Sequence, residues 1–470
     1  MKFFDMLYTM IQIFKPSLYA GAFLDEENKE ELLKIIKPIH KNVKADHLTL
    51  KFGIDSDYIK NFEFGKNVEL KVVGVVSDDK GQAVSVETNL SENKNPHITI
   101  SIIDDVKVVY SNELIENNLI EKIETPIILS ARLGISDGRK VFFEKPKTIS
   151  KIILPVRPQP DTVSAIYLLK TFGTGHFLDI DKAKVEFLAT LPEGDNHSSL
   201  LDKGILLVDV GGGIFDHHNK EEKTTASALV ANYLCIEKSL YLQKLLEYTY
   251  RDDVFGKGTI SDDQLDRAFG LSGLISALNK LHDKNPEKVV DYVLPLIEAH
   301  VSEEKKRAED MPNEVEEKIA NGQATTFTVK QRDKKLKVII IESDNTSLPG
   351  FLRSKLGGSY DVVAQRTPTG HVNILTRPTK RIDLRSLVAT IRASELLLKK
   401  IPAEKDSRKL MITGRYEPIP EWYYDTATNS IQNGGTTPGD TKPTLIPKQS
   451  LSKILEVGLS EKFLTPMRPN

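Results

Sequence analysis

The sequence predicts a mixed α/β protein with an α+β domain first, a doubly wound parallel sheet next, and a smaller α/β domain after that. Three observations predict it. Short β-rich runs crowd the first third of the chain. From Lys151 strands alternate with helices, and the alternation resumes near Lys335 after a long helical stretch. At roughly 150 residues per domain, 470 residues suit about three such units.

The elements follow in order. Residues 1–16 read as an N-terminal extension, and residues 17–148 as the α+β domain. Leu18–Leu24 is an apolar run of strand length, and Asp25 caps a helix with apolar residues at helical spacing (Leu32, Leu33, Ile35, Ile36). Ala20-Gly21-Ala22 also resembles a signal-cleavage site, but the strand reading suits the run better. Strands are expected at His47–Phe52, Val68–Val76, Ala83–Thr88, His97–Ile103 and Pro126–Leu133. Residues 151–330 form the doubly wound domain, with strands at Ile152–Val156, Val185–Ala189 and Ile205–Val210 and helices at Asp161–Phe172 and Thr224–Ile236. Residues 335–400 form the accessory domain. Residues 401–470 are rich in Pro, Gly and Thr and read as a mostly looped extension closed by a helix at Leu451–Val457.

Composition narrows function. Hydrophobic residues make up 40% and charged residues 28%, an ordinary globular balance that excludes disordered and fibrous classes. Lys+Arg total 64 against 66 Asp+Glu, so no overall basic field draws in phosphate backbones. The single cysteine, Cys235, excludes an intrachain disulfide and a multi-cysteine zinc site, and suits a cytoplasmic location. No run reaches about 18 apolar residues, so no membrane partner is expected.

Two segments carry one pattern, His47-Leu48-Thr49-Leu50 and His97-Ile98-Thr99-Ile100. On a strand, alternate side chains share a face, so each segment sets His and Thr on one side and two aliphatics on the other. Lys51 and Ser101 continue the polar faces and are candidate substrate contacts. Hydrolysis of a cyclic phosphodiester needs a base for water and an acid for the leaving oxygen. Imidazole serves either role near neutral pH. A hydroxyl two residues on can donate to a phosphate oxygen where charge develops. No metal or other cofactor is needed at such a site.

On these motifs, residues 17–148 resemble the two-histidine (2H) phosphoesterase superfamily, which includes RNA cyclic phosphodiesterases. The opening Leu18-Tyr19-Ala20-Gly21-Ala22-Phe23 followed by a helix is similar to that family too. The resemblance implies a bilobed α+β fold with both motifs on one cleft. His47 and His97 would be the acid–base pair, Thr49 and Thr99 would hold phosphate, and the partner would be an RNA end or nucleotide with a cyclic phosphate. The motifs stand 50 residues apart, closer than is usual in the family, which implies a trimmed lobe.

A second constellation follows the apolar strand Leu206-Leu207-Val208. Asp209 precedes Gly211-Gly212-Gly213, and then comes Asp216-His217-His218. Ligands bind beyond strand C-termini in parallel sheets, and carboxylates with imidazoles suit Mn²⁺ or another divalent ion. This segment, with the helix after Thr224, resembles the DHH phosphoesterase superfamily. The resemblance implies a DHH-like fold with an accessory domain, and candidate metal ligands at Asp161, Asp209, Asp216, His217, His218 and Asp253. The family's opening His-x-x-Pro-Asp-x-Asp departs here to Pro155-Val156-Arg157-Pro158-Gln159-Pro160-Asp161, where Asp161 alone is retained. That loss opposes a two-metal mechanism and leaves one ion or none.

In the accessory domain Gly370-His371 and Arg377 are candidate substrate contacts. With Arg366, Lys380, Arg381, Arg385 and Arg392 they make the region locally basic. Trp422-Tyr423-Tyr424 reads as an anchor that docks the tail. The expected activity is a metal-independent phosphodiesterase acting through the paired motifs, with the DHH-like half binding substrate. The alternatives are a Mn²⁺-dependent nuclease or nucleotide phosphoesterase in that half, and a non-catalytic RNA- or nucleotide-binding scaffold.

Overall fold

A computed structural model describes residues 17–460 apart from 105, 192, 193, 195, 219, 257–260, 436 and 437. The expected extension at residues 1–16 lies outside the described residues. The chain is mixed α/β and divides into two compact units, residues 1–301 and 302–470.

The first unit begins with a closed antiparallel barrel. Its strands are β1 (Tyr19–Leu24), β2 (His47–Phe52), β3 (Asn67–Ser77), β4 (Gly81–Glu87), β5 (His97–Ile102) and β6 (Glu121–Ser136). They pair in the order β1-β2-β5-β4-β3-β6, and β6 returns to β1 through Tyr19↔Ser136 to Leu24↔Ala131. Closure removes the exposed sheet edge that a short sheet would present. Both motifs therefore sit on one ring of strands, where the resemblance implied two lobes. Alternation fills the inside with Ala20, Ala22, Leu48, Leu50, Leu70, Val84, Ile98, Ile100 and Leu129, all buried. The helix expected after Asp25 forms at Glu26–Ile35, and the Asp25 side chain accepts from the Asn28 amide at 2.8 Å.

A three-stranded parallel sheet follows, with β7 (Lys151–Pro155) between β8 (Lys184–Leu188) and β9 (Ile205–Leu207). Helix α1 (Pro160–Phe172) leaves β7 with Pro at its first turn, where the missing N–H costs nothing. All its residues but Lys170 are buried, which explains its all-round apolar character. It packs against α2 (Ala226–Tyr233) over a core that includes Leu154, Ile166, Leu169, Val208 and Val230.

The second unit is a seven-stranded sheet ordered β10 (Ala324–Gln331), β11 (Lys334–Glu342), β12 (Val362–Arg366), β13 (Val372–Thr376), β16 (Ser430–Asn433), β15 (Ile419–Asp425) and β14 (Gly414–Tyr416). Only β11 and β12 run parallel within it. Two expectations change here. Residues 324–331, placed with the preceding domain, pair in this sheet. Residues 414–433, read mostly as loop, contribute three strands. Short strands broken by turn residues give a weak periodic signal, and long-range pairing supplied what periodicity did not. Helices α3 (Arg385–Leu398) and α4 (Lys448–Leu459) pack on each other over the sheet core. Trp422 docks as an anchor: it is fully buried, and its indole Nε1 donates to Glu395 at 3.1 Å. No helix among the described residues is long and apolar enough to cross a membrane.

Candidate active site

The His-x-Thr strands are neighbours. Leu48 pairs with Ile98 in antiparallel register, which by alternation sets Thr49 beside His97 and His47 near Thr99. The imidazoles thus occupy diagonal positions, which on such a lattice stand about 7–8 Å apart. Ala45, just before the motif, has φ +55 and its N–H bonds the Thr99 carbonyl at 2.8 Å, so an irregular turn leads into β2. His47, Thr49, His97 and Thr99 all line one cleft of about 910 Å³, with Tyr19, Lys44, Asp46, Lys51, Phe52, Asn93, Lys107, Val109 and Asn112.

Each imidazole is held differently. His97 Nδ1 donates to the Asn95 carbonyl at 2.7 Å, which leaves Nε2 as the nitrogen open to exchange. Burial lowers its pKa, and the Asn95 carbonyl opposes that in part. His47 lies between Tyr19 and Phe23, with ring centroids 5.1 and 5.2 Å away. Burial lowers its pKa as well. Neighbouring Asp46 pulls it back up, and the charge of His97 pushes it further down. The two imidazoles therefore sense each other electrostatically. Thr99 is buried, and its hydroxyl shares a 2.8 Å hydrogen bond with that of Ser111.

The supporting residues fall out differently. Lys51 lines the cleft, but its ammonium pairs with Glu92 at 2.8 Å. Ser101 is fully buried. Its hydroxyl donates to Gln82 at 3.1 Å and accepts from the His40 amide at 3.2 Å. Gln82 pairs with Ser101 and Ala83 with Thr99, so Ile100 is skipped, and this bulge on β5 itself interrupts the alternation that set Ser101 on the cleft face. Tyr19, Phe23, Phe52, Asp46 and Asn95 are not among the site residues the sequence pointed to, although Tyr19 and Phe23 belong to the opening segment that carries the resemblance. Alternation held the signal for two of them, because inward Ala20 and Ala22 leave Tyr19 and Phe23 facing outward with His47.

The second constellation gathers beyond the C-terminal ends of β7 and β9. Asp209 is a buried non-glycine residue at φ +61, a conformation that costs free energy and is held by its surroundings. Thr162 in the first turn of α1 donates to Asp209 Oδ2 at 2.5 Å, which leaves buried Oδ1 with no hydrogen-bond partner. His217 Nε2 stands 3.2 Å from that Oδ1 and 3.6 Å from Asp253. The Asp209 interaction pushes the His217 pKa up to about 9. Burial raises the Asp253 carboxyl. One ligand atom each from Asp209, His217 and His218 lie within 4.8 Å of one another.

Two of the expected ligands are used otherwise. Both oxygens of Asp161 accept backbone N–H groups at the start of α2, Ala226 at 2.7 Å and Ser227 at 2.9 Å. Burial, with the nearby Asp209 charge, pushes its pKa up to about 6. It caps a helix and stands outside the Asp209–His217–His218 group. Asp216 accepts from the Gly212 amide at 2.7 Å and from His218 Nδ1 at 2.7 Å, so it orients His218. Burial pushes its carboxyl up, but these donors hold it below the ordinary value.

In the second unit His371 is buried with both ring nitrogens engaged, one with Thr369 Oγ1 and one with the Thr441 carbonyl, each at 2.9 Å. Arg377 lies 4.0 Å from Asp361. Arg392, read as part of a basic surface, is fully buried. Its guanidinium donates to the carbonyls of Leu410 at 3.0 Å, Ile412 at 2.9 Å and Gly414 at 2.5 Å.

No family model matches the chain, and no curated protein matches it. A crystal structure of an uncharacterized protein from Helicobacter pylori G27 is similar over 66% of this chain and 99% of its own, at 12% identity and a TM-score of 0.20.

Proposed function

We propose that the protein is a phosphodiesterase of the two-histidine type that opens a 2′,3′-cyclic phosphate on an RNA end or nucleotide without a metal. One observation carries this: two imidazoles and two threonines, from adjacent strands, line a single cleft. Water attacks phosphorus as one imidazole takes its proton. The bond from phosphorus to one ribose oxygen breaks, and the other imidazole protonates that oxygen, leaving a phosphomonoester. Asp46 favours the imidazolium at His47, which suits the acid, and the Nε2 lone pair of His97 suits the base. Thr49, Thr99 and Lys107 line the same cleft and suit the phosphate oxygens.

The test is turnover of a 2′,3′-cyclic nucleotide in excess EDTA. His47→Ala and His97→Ala should each lose about 10²- to 10⁴-fold in kcat. Undiminished turnover in either variant overturns the proposal.

A second reading rests on the buried Oδ1 of Asp209, which faces His217 at 3.2 Å with a second imidazole, His218, close by. That donor set fits one Mn²⁺ or similar ion held by Asp209, His217 and His218, with Asp161 excluded. Such an ion, when bound, would activate water. Thr162 and Asp216 orient Asp209 and His218 toward it. On this reading a Mn²⁺-dependent phosphoesterase activity is lost on chelation, and EDTA separates it from the first.

A further inference from the structure

The hydroxyl of Thr99 has a partner that the paired motifs do not contain. Ser111 stands in the first turn of the helix Tyr110–Asn117 and is fully buried, and its Oγ lies 2.8 Å from Thr99 Oγ1. That turn is pinned on either side. The Tyr110 hydroxyl donates to Asp78 at 2.5 Å, and the Ser111 amide donates to the Val108 carbonyl at 3.2 Å. The Thr99 backbone is fixed as well, because its carbonyl accepts from the Ala45 amide and Thr99 pairs with Ala83 across the strands. Rotation of the two hydroxyls is the freedom that is left.

Counting protons decides which hydroxyl donates. A hydroxyl carries one proton and two lone pairs. If Thr99 donated, the Ser111 proton would need a different acceptor, and Ser111 Oγ has no second partner among the described residues. Leaving a buried donor unpaired is costly. If Ser111 donates, its proton is paired, and the Thr99 proton is left for the cleft that Thr99 lines. We propose that Ser111 is a positioning residue that donates to Thr99 Oγ1 and so aims the Thr99 proton at a phosphate oxygen in the cleft. The inference rests on reading the cleft as a phosphodiesterase site. A hydroxyl that accepts one hydrogen bond donates the next more strongly, so the pair works as a two-step donor to the charge that builds on phosphate. Thr49 lines the same cleft without a hydroxyl donor of this kind among the described residues, so the two motifs are not equivalent.

The test is a double-mutant cycle on the full chain, read by calorimetric binding of adenosine 2′-monophosphate in EDTA and by kcat on a 2′,3′-cyclic nucleotide. The monoester has no ring to open, so its binding is read apart from catalysis. Ser111→Ala should weaken monoester binding about three- to tenfold. The loss should vanish when Thr99 is already replaced by Val and remain whole when Thr49 is replaced by Val instead. Ser111→Cys, close in size and a weaker donor, should fall between wild type and Ser111→Ala, and kcat should follow the same order. A serine with a purely structural role would cost the same in every background. Undiminished binding in Ser111→Ala, or an equal loss in the Thr99→Val background, overturns the inference, and so does a wild type that binds no monoester. A wild type that binds the monoester but opens no cyclic phosphate removes the phosphodiesterase reading, and the binding cycle still decides the role of Ser111.

Discussion

Replacing Asp46 by Asn tests the assignment of His47 as the acid. Asp46 stands immediately before His47, where the turn enters β2, and its charge favours the imidazolium against burial, which lowers the His47 pKa, and against His97, which lowers it further. The size of the effect follows from the setting of Asp46. Its side chain is 48% exposed and already pairs with Lys29 at 2.6 Å, so solvent and a cation both weaken its pull on His47. An exposed pair of this kind contributes about 0.2–1 kcal/mol. At 1.36 kcal/mol per pKa unit, the variant should lower the His47 pKa by up to about 0.7 unit. An acid must be protonated to act, so activity falls as pH rises through its pKa. Asp46→Asn should therefore move the alkaline limb of kcat/KM toward acid. On that limb it should lose up to about fivefold at fixed pH, with little change where His47 is already protonated. A pH–rate profile on a 2′,3′-cyclic nucleotide, beside NMR titration of the His47 ring, reads both quantities. An unmoved limb with a shifted ring titration would show that His47 is not the acid. A limb moved toward alkali would refute the electrostatic argument itself.

Other outcomes are expected from buried groups. His176 is nearly buried between Phe142 and Tyr233, and its pKa is lowered to about 4. A depressed histidine pKa means the unfolded chain binds its proton first. Its contribution is therefore complete above about pH 6.5 and is lost as pH falls toward 4, by about 3 kcal/mol. Denaturant titrations at pH 7 and pH 4.5 should show that loss reduced in His176→Phe. Arg392→Met should destabilise the second unit by about 3 kcal/mol, because the buried carbonyls of the 410–414 segment lose their charge-assisted donors. Chemical unfolding that matches wild type would contradict this. Asp209→Asn should abolish Mn²⁺ binding in calorimetry, whereas Asp161→Asn should retain Mn²⁺ binding and change the melting temperature. The reverse pattern would restore Asp161 as a ligand.

Local pattern carried much of this structure in the sequence, and long-range pairing carried the rest. The His-x-Thr strands were legible because Leu48, Leu50, Ile98 and Ile100 alternate cleanly with polar residues, and period two needs only neighbours to be seen. Helix α1 was legible from its length and from the proline at its start. Ring closure was not, since it joins residues 19–24 to residues 131–136 and no local signal encodes that partner. Ser101 was misplaced because Ile100 beside it is skipped in the pairing with Gln82 and Ala83, a bulge that only the partner strand reveals. Arg392 was misplaced for a similar reason. Arginine is ordinarily exposed, and only the carbonyls of a distant segment make its burial tolerable. Asp161 shows the limit of motif reasoning at a site. The residue stands where a ligand was expected, but its two oxygens were taken by a helix start that the motif does not contain.

The geometry also explains why strands, not loops, present the imidazoles. Acid–base attack on phosphorus needs two rings at a fixed spacing on either side of one atom, and misplacement by about 1 Å can cost about 10²-fold. Diagonal positions on two hydrogen-bonded strands set that spacing through the backbone lattice, with Leu48 and Ile98 locked in the core directly beneath. β1 pairs with β2 along five positions and with β6 on its other edge, and this brings Tyr19 and Phe23 against His47 from the opposite side. His47 is thereby buffered by rings on one strand and set against His97 from the other, and the His97 ring is fixed by the Asn95 carbonyl. On this account, rigidity of the barrel is itself part of the chemistry. Cavities cut beneath the motif, as in Ile98→Ala, should then lower kcat at temperatures well below unfolding, and an unchanged kcat in that variant would separate the fold from the chemistry.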